Sequence, residues 1–127
     1  GAGTIDTLQT GGYPIIGVNF GGKALDPRYK NRRAEMHFKA ADWVKKGGAL
    51  PNMPELVREA TATTYTFRNG VFTIEEKEQV MEKLGGESPD LWDALCLTFA
   101  QPVAAKTGYD WMDKHSTKCR TEREEEE

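Results

Sequence analysis

The pair Asn69-Gly70 constrains this chain more tightly than any other stretch. It lies between Thr64-Tyr65-Thr66-Phe67-Arg68 and Val71-Phe72-Thr73-Ile74. Both runs alternate apolar and polar residues, and a two-residue turn of this kind needs left-handed backbone that Asn and Gly tolerate. The register that follows sets Phe67 against Phe72 and Tyr65 against Ile74 on one face, and Thr66 against Thr73 on the other. One face is therefore apolar and must pack on something, while the other is wet. Arg68 at the tip is free to meet a phosphate; a solvated tip arginine is the plainer account.

The second organising stretch is Ser88-Pro89-Asp90-Leu91-Trp92-Asp93-Ala94-Leu95. Ser88 is placed to cap a helix and Pro89 to occupy its first position, where no N–H is needed. Leu91, Ala94, Leu95, Leu97 and Phe99 make the helix almost wholly apolar, and Pro102 stops it after Ala100 or Gln101. Asp90 and Asp93 stand three residues apart, on one face. An acid near the start of a helix gains roughly 0.3–1 kcal/mol from its dipole. Asp90 fits that account. Asp93 is nearly two turns in and fits it less well, and a carboxylate buried alone costs several kcal/mol. The alternative is a metal or catalytic site.

Elsewhere the pattern is mixed. Ile5 and Leu8 have helical spacing before Gly11-Gly12, and Ile15-Ile16-Gly17-Val18-Asn19-Phe20 has the β-branched, apolar character of a buried strand. Helix then strand is half of a βαβ unit, and the chain reads as beginning inside a domain. Gly1-Ala2-Gly3 is a weak phosphate-cradling signal. It lacks a preceding strand, Asn19 stands near where an acid would be needed, and no Walker motif is present. A long helix is expected from Tyr29 to Lys46. Its apolar positions Ala34, Met36, Phe38, Ala41, Trp43 and Val44 form no single stripe, so it should touch neighbours on more than one side. Between Lys23 and Lys46, eight basic residues face three acidic ones, a net +5 in a chain of net charge −3. Such a segment can track phosphates, or be an ordinary solvated helix face. A short helix from Pro54 to about Ala60 and another from Lys77 to Leu84 complete the reading.

At 127 residues the chain has room for one domain with a modest core. No apolar run approaches the roughly 20 residues of a membrane span, and no basic-then-apolar leader opens the chain. Cys96 lies in the apolar helix and reads as a core residue; Cys119 lies in a polar tail. No disulfide framework is indicated, so a reducing cytosol is expected. His115 and Cys119 are four apart, but zinc needs more ligands than two. Residues 102–127 are expected to form a polar, acidic, flexible tail, which ends in four glutamates, with Tyr109, Trp111 and Met112 as candidate anchors for its first part.

Two segments together resemble the C-terminal nuclease domain of the large terminase subunit of tailed phages. One runs from Gly1-Ala2-Gly3 through Tyr13-Pro14-Ile15-Ile16-Gly17-Val18-Asn19-Phe20-Gly21-Gly22. The other is Phe72-Thr73-Ile74-Glu75-Glu76-Lys77 followed by Leu84-Gly85 and Ser88-Pro89-Asp90-Leu91-Trp92-Asp93-Ala94-Leu95. Tyr29-Lys30-Asn31-Arg32-Arg33-Ala34-Glu35 is in keeping, so the resemblance spans residues 1–101. It implies an α/β class, a partial RNase H-like nuclease fold with a sheet flanked by helices and a β-hairpin. It implies a DNA-packaging endonuclease that cuts concatemeric viral DNA with Mg²⁺ or Mn²⁺ in a two-metal site. Asp93 would be a metal ligand and Asp90 a ligand or close neighbour. Arg28, Lys30, Arg32, Arg33, Arg68 and Lys77 are the candidate DNA contacts. Partners would be double-stranded DNA, the portal protein and the small terminase subunit, in the cytoplasm of a bacterial host and with no membrane. A resolvase-like nuclease, or a non-catalytic DNA- or protein-binding module, are the alternatives.

Two metals about 3.5–4 Å apart clamp the attacking and leaving oxygens of a phosphodiester, and hard carboxylate oxygens suit them. Asp90 and Asp93 cannot build that cage alone. The remaining family acids should lie before Gly1, and Asp6 does not match them; the ATPase domain is absent too. The chain is thus expected not to cleave DNA by itself. Robust Mn²⁺-dependent nicking of a plasmid, abolished by Asp93→Ala, would overturn this.

Overall fold

The structure, a computed structural model, describes residues 2–102. The polar tail beyond Pro102, with its expected anchors and the His115/Cys119 pair, lies outside the described residues. In chain order the elements are α1 (Ala2–Thr10), α2 (Arg32–Lys45), α3 (Pro54–Ala62), β1 (Tyr65–Arg68), β2 (Val71–Ile74), α4 (Lys77–Lys83) and α5 (Asp90–Leu97). The class is mixed helix with a small two-stranded antiparallel sheet, broadly α/β.

The hairpin has the register read from its turn. Tyr65 pairs with Ile74, Thr66 with Thr73 and Phe67 with Phe72, while Asn69 and Gly70 take φ of 54° and 75°. The outer edge of β2 is also engaged. Phe72 donates its N–H to the Arg28 carbonyl (2.8 Å) and accepts from the Lys30 N–H (3.0 Å). With its backbone groups turned outward, Phe72 meets Phe67 as a non-hydrogen-bonded pair, the arrangement that brings side chains closest. Their ring centroids are 4.6 Å apart, and Phe38 of α2 stands 4.9 Å from Phe72 on the other side. The apolar face thus packs on α2 through Phe72 and the buried Ile74, whereas Tyr65 and Phe67 remain 63% and 57% exposed.

The core lies where α2 and α3 meet α5. Met36, Ala40, Leu56, Trp92, Cys96 and Ala100 form it, with Phe20, Leu50, Leu95 and Phe99 packed around. α2 touches α5 on one side and β2 on another, as its split apolar pattern requires. Asn31 opens α2 by accepting the Ala34 N–H (2.8 Å), and Gly47, at φ 98°, closes it. The helix is three residues shorter at its start than the expected Tyr29, because Tyr29 and Lys30 belong to the edge of β2.

Three expectations are corrected. Residues 15–20 form no strand: a strand must find partners for its backbone groups, and here Phe20 and Gly22 instead give their carbonyls to the first N–H groups of α2, Arg33 (2.9 Å) and Arg32 (2.8 Å). Ile16 is left 66% exposed. Ser88 does not cap α5; its hydroxyl donates to Asp90 Oδ1 (2.6 Å), and the Trp92 N–H is taken by Glu59 of α3 (2.8 Å). α5 ends at Leu97, continuing to Ala100 only as tighter turns.

A buried ion pair ties α2 to both flanks. Glu35, 1% exposed, accepts from Arg32 Nη1 (2.7 Å) and from the backbone N–H groups of Leu25 (3.0 Å) and Asp26 (3.2 Å). Arg32 Nη2 also donates to the Ala100 carbonyl. Burial pushes the Glu35 carboxyl up. The Arg32 and Leu25 hydrogen bonds, the Lys39 charge and the Asp26 N–H outweigh it and hold the group below its ordinary 4.5. A lowered carboxyl stabilises the fold fully above its unfolded value, and that contribution is lost as pH falls through the folded one. Glu35→Gln should therefore cost about 3–5 kcal/mol at pH 7 by urea unfolding, and the gap to wild type should narrow below pH 4.5.

Candidate functional site

α5 turns one carboxylate inward. Trp92, Asp93 and Cys96 are its buried residues, so Asp93 shares the core-facing stripe and is 7% exposed. The helix opens at Asp90, which is exposed and held by Ser88, so Asp93, expected nearly two turns in, lies in the first turn. The two acids expected together thus occupy different surroundings.

Asp93 meets two side chains. Lys77 Nζ lies 3.1 Å from Oδ2, and His37 Nε2 lies 3.6 Å from Oδ1. The His37 contact is too long for a hydrogen bond and the Lys77 contact, though short enough, is not directed as one, so Asp93 is held by charge while both its oxygens and His37 Nε2 are buried without a directed hydrogen bond. Burial pushes the Asp93 carboxyl up; His37 and Lys77 more than offset this and hold it below its ordinary 3.8. Lys77 occupies the first position of α4, where a cation opposes the helix dipole. The carboxylate across the gap accounts for its being there.

His37 was not singled out from the sequence. It is 5% exposed on α2, and its Nδ1 is 2.8 Å from the Arg33 carbonyl one turn back. A carbonyl only accepts, so Nδ1 carries a proton, and Nε2, facing Asp93, accepts in the neutral ring and donates in the imidazolium. The signal was available: a polar residue between Met36 and Phe38 raises the same question of a partner that Asp93 raises between Trp92 and Ala94. Beside the imidazole, His37, Trp92, Thr63 and Ile74 help to wall a pocket of ≈ 90 Å³, ample for water. Below Asp93, burial drives the Cys96 thiol up to about 12, an inert core sulfur as expected.

The candidate DNA contacts divide into three. Lys30 and Arg68 are exposed and line one groove with Thr66, Thr73, Gln79 and the acids Glu75 and Glu76, on the wet side of the hairpin. Arg28 is exposed, forked onto Asp26 (2.7 and 2.9 Å) and placed over the Tyr29 ring. Arg32 is buried on Glu35, Arg33 is half-buried with Nη1 on the Glu75 carbonyl (2.6 Å), and Lys77 faces Asp93. These last three are turned toward the interior and its margin.

Asp93 and His37 are side chains of types that ligate divalent cations, but two donors beside the Lys77 ammonium make no cation site by themselves. A cage needs more: among the described residues no three His, Cys, Asp or Glu side chains stand close enough together to hold a metal ion. Among them also, no helix is long and apolar enough to cross a membrane. No family model, curated protein or solved structure matches the chain.

Whether Asp93 is kept for its pairing with Lys77 can be measured. The Lys77 side chain is 42% exposed and the Asp93 side chain 10%; water at the lysine end screens the pair and holds its worth to about the 0.2–1 kcal/mol of exposed pairs. A double-mutant cycle of Asp93→Asn with Lys77→Met should give a coupling in that range. A coupling of several kcal/mol would make the ion pair itself the reason for a buried acid here.

Proposed function

We propose that this chain is part of an RNase H-like, metal-dependent DNA endonuclease of the phage terminase large subunit. In that reading it works in the bacterial cytoplasm with the portal protein and the small terminase subunit on concatemeric viral DNA. The observation that carries the reading is the placement of Asp93, inward on an apolar helix with both oxygens free of hydrogen bonds. A carboxylate at home in a plain helix would face water or be fully bonded.

In this reading Asp93 presents an oxygen to a Mg²⁺ or Mn²⁺ ion, and Asp90 is a more exposed acid at the same helix end. When bound, such an ion stabilises negative charge on phosphodiester oxygens. Lys30 and Arg68 hold the backbone along the groove beside the hairpin, and Thr66 and Thr73 supply hydroxyls there. Arg28 joins them by releasing Asp26. Lys77 occupies the anion side of Asp93 and, being part-exposed, can turn outward toward a phosphate.

One observation favours a second reading. The Lys77 ammonium already neutralises Asp93 at 3.1 Å, which suits a non-catalytic nucleic-acid-binding module whose buried acid is structural.

Fluorescence anisotropy on a short duplex separates the two readings. Affinity should fall steeply with salt, and Lys30→Ala with Arg68→Ala should lower the log–log salt slope by about 2. Mn²⁺ should strengthen binding in the wild type and not in Asp93→Asn. A steep salt slope with no metal effect would favour the module, and a slope untouched by the two substitutions would remove the groove from the interface.

A further inference from the structure

We propose that the outer edge of β1 is a dimer surface, on which a second copy of this chain lays its own β1 antiparallel to complete a four-stranded sheet. β2 offers no such edge, because the Arg28 carbonyl and the Lys30 N–H already hold Phe72 there. The Glu75 N–H donates to the Thr64 carbonyl (3.1 Å), so Thr64, Thr66 and Arg68 turn their backbone groups toward β2. Tyr65 and Phe67 then turn theirs outward, and among the described residues no backbone group pairs with them. Every residue of β1 is exposed, Tyr65 and Phe67 by 63% and 57%. Unpaired N–H and C=O groups flanked by exposed aromatic rings are a template for another strand. Edges that must stay single are blunted by Pro, Lys or a bulge, and Tyr65-Thr66-Phe67 carries none of these.

A second copy fits because the edge complements itself. With a two-fold axis at Thr66, Tyr65 stands opposite Phe67 of the copy, and Phe67 opposite the copy's Tyr65. Both pairs can then exchange their outward N–H and C=O groups. The same register matches the faces. Each apolar row runs Phe72, Phe67, then Tyr65 and Ile74 of the copy, and Thr66 meets Thr66 on the wet side. A shift of one residue would set Phe67 against Thr66. Charge selects the same arrangement. The wet groove has Arg68 at the turn and Glu75 and Glu76 at its other end. An antiparallel copy lays its turn beside that acidic end, with Arg68 across from Thr64, the neighbour of Glu75. An in-register parallel copy would bring the two Arg68 side chains together. With β2 already engaged, pairing through β1 closes at two chains.

One four-residue strand from each copy makes an interface below the ~1,200 Å² of stable complexes, so the expected Kd is on the order of 0.1 mM. The full chain, followed by sedimentation velocity from a tenth of that concentration to ten times it, should pass from one chain to two. Phe67→Lys should weaken the dimer at least about tenfold, and so should Tyr65→Pro, which removes an N–H from the outer edge alone. Circular dichroism checks that both variants keep their fold. A third variant leaves both rings in place. Thr66→Cys, in a chain with Cys119→Ser and with Cys96 buried, sets two thiols on the axis with Cα atoms about 4.5 Å apart, within reach of a disulfide. Under diamide it should cross-link, whereas the two positions of Arg68→Cys, displaced by about 14 Å along the strand, should not. A chain that stays monomeric across the whole range would overturn the proposal. Protection of its Tyr65 and Phe67 amides from exchange would then give the edge to residues 103–127 of the same chain. A dimer indifferent to Phe67→Lys and Tyr65→Pro, and cross-linked no better through Thr66→Cys than through Arg68→Cys, would put the interface elsewhere and sink the proposal as well.

Discussion

The buried carboxylate of Glu35 is the interaction on which the rest of the structure hangs. It gathers Arg32 from its own helix, two backbone N–H groups from the loop before it, and Lys39 at 3.5 Å. Arg32 in turn reaches the Ala100 carbonyl beyond α5. One charge thereby sets where the loop enters, where α2 begins and where the chain leaves α5. A carboxylate this deep is tolerable only with several donors around it, so the loop, the helix start and the end of α5 are specified together.

With α2 fixed in that way, its other faces acquire fixed neighbours. Met36 and Ala40 face Trp92, Cys96 and Ala100 in the core. Phe38 faces the hairpin, 4.9 Å from Phe72 and 5.3 Å from Tyr65. Arg33 and His37, one turn apart, face α5 and the hairpin exit. The candidate chemistry thus rests on a rigid seam between two helices, with Lys77 of α4 at its open end. The basic stretch that looked uniform in the sequence is divided by the same geometry. Arg32 serves the interior, Arg33 binds a carbonyl, and Lys30 and Arg68 stay exposed along the groove beside the hairpin.

Local chemistry made the hairpin legible down to its register, since a two-residue Asn-Gly turn admits one pairing and the alternation of Tyr65, Phe67, Phe72 and Ile74 fixes the face. Asp93 was legible as an anomaly, an acid in an apolar run, although nothing in its own helix named its neighbours. The segment 15–20 was misread because β-branched apolar residues describe an extended segment equally well with or without a strand beside it; the Phe20 carbonyl went to α2 and the Ile15 carbonyl to the Gln9 side chain. Ser88 was misread because capping depends on where the hydroxyl can reach, and Glu59 from another helix arrived at Trp92 instead. His37 passed unnoticed because a lone histidine gives no period and no spacing to count.

The sequence by itself determined the elements whose causes are local: the turn at Asn69-Gly70, the glycine stops, and the presence of a carboxylate in the apolar helix that closes the core. Tertiary structure alone decided which residue answers which charge. The Leu25 and Asp26 N–H groups met Glu35, and His37 and Lys77 met Asp93, across separations in sequence of up to 56 residues. The reason is physical. Turns and caps are settled by backbone torsions within a few residues. The partner of a buried charge is settled by whichever packed surface brings a complementary group within reach, and no periodicity in the chain encodes that.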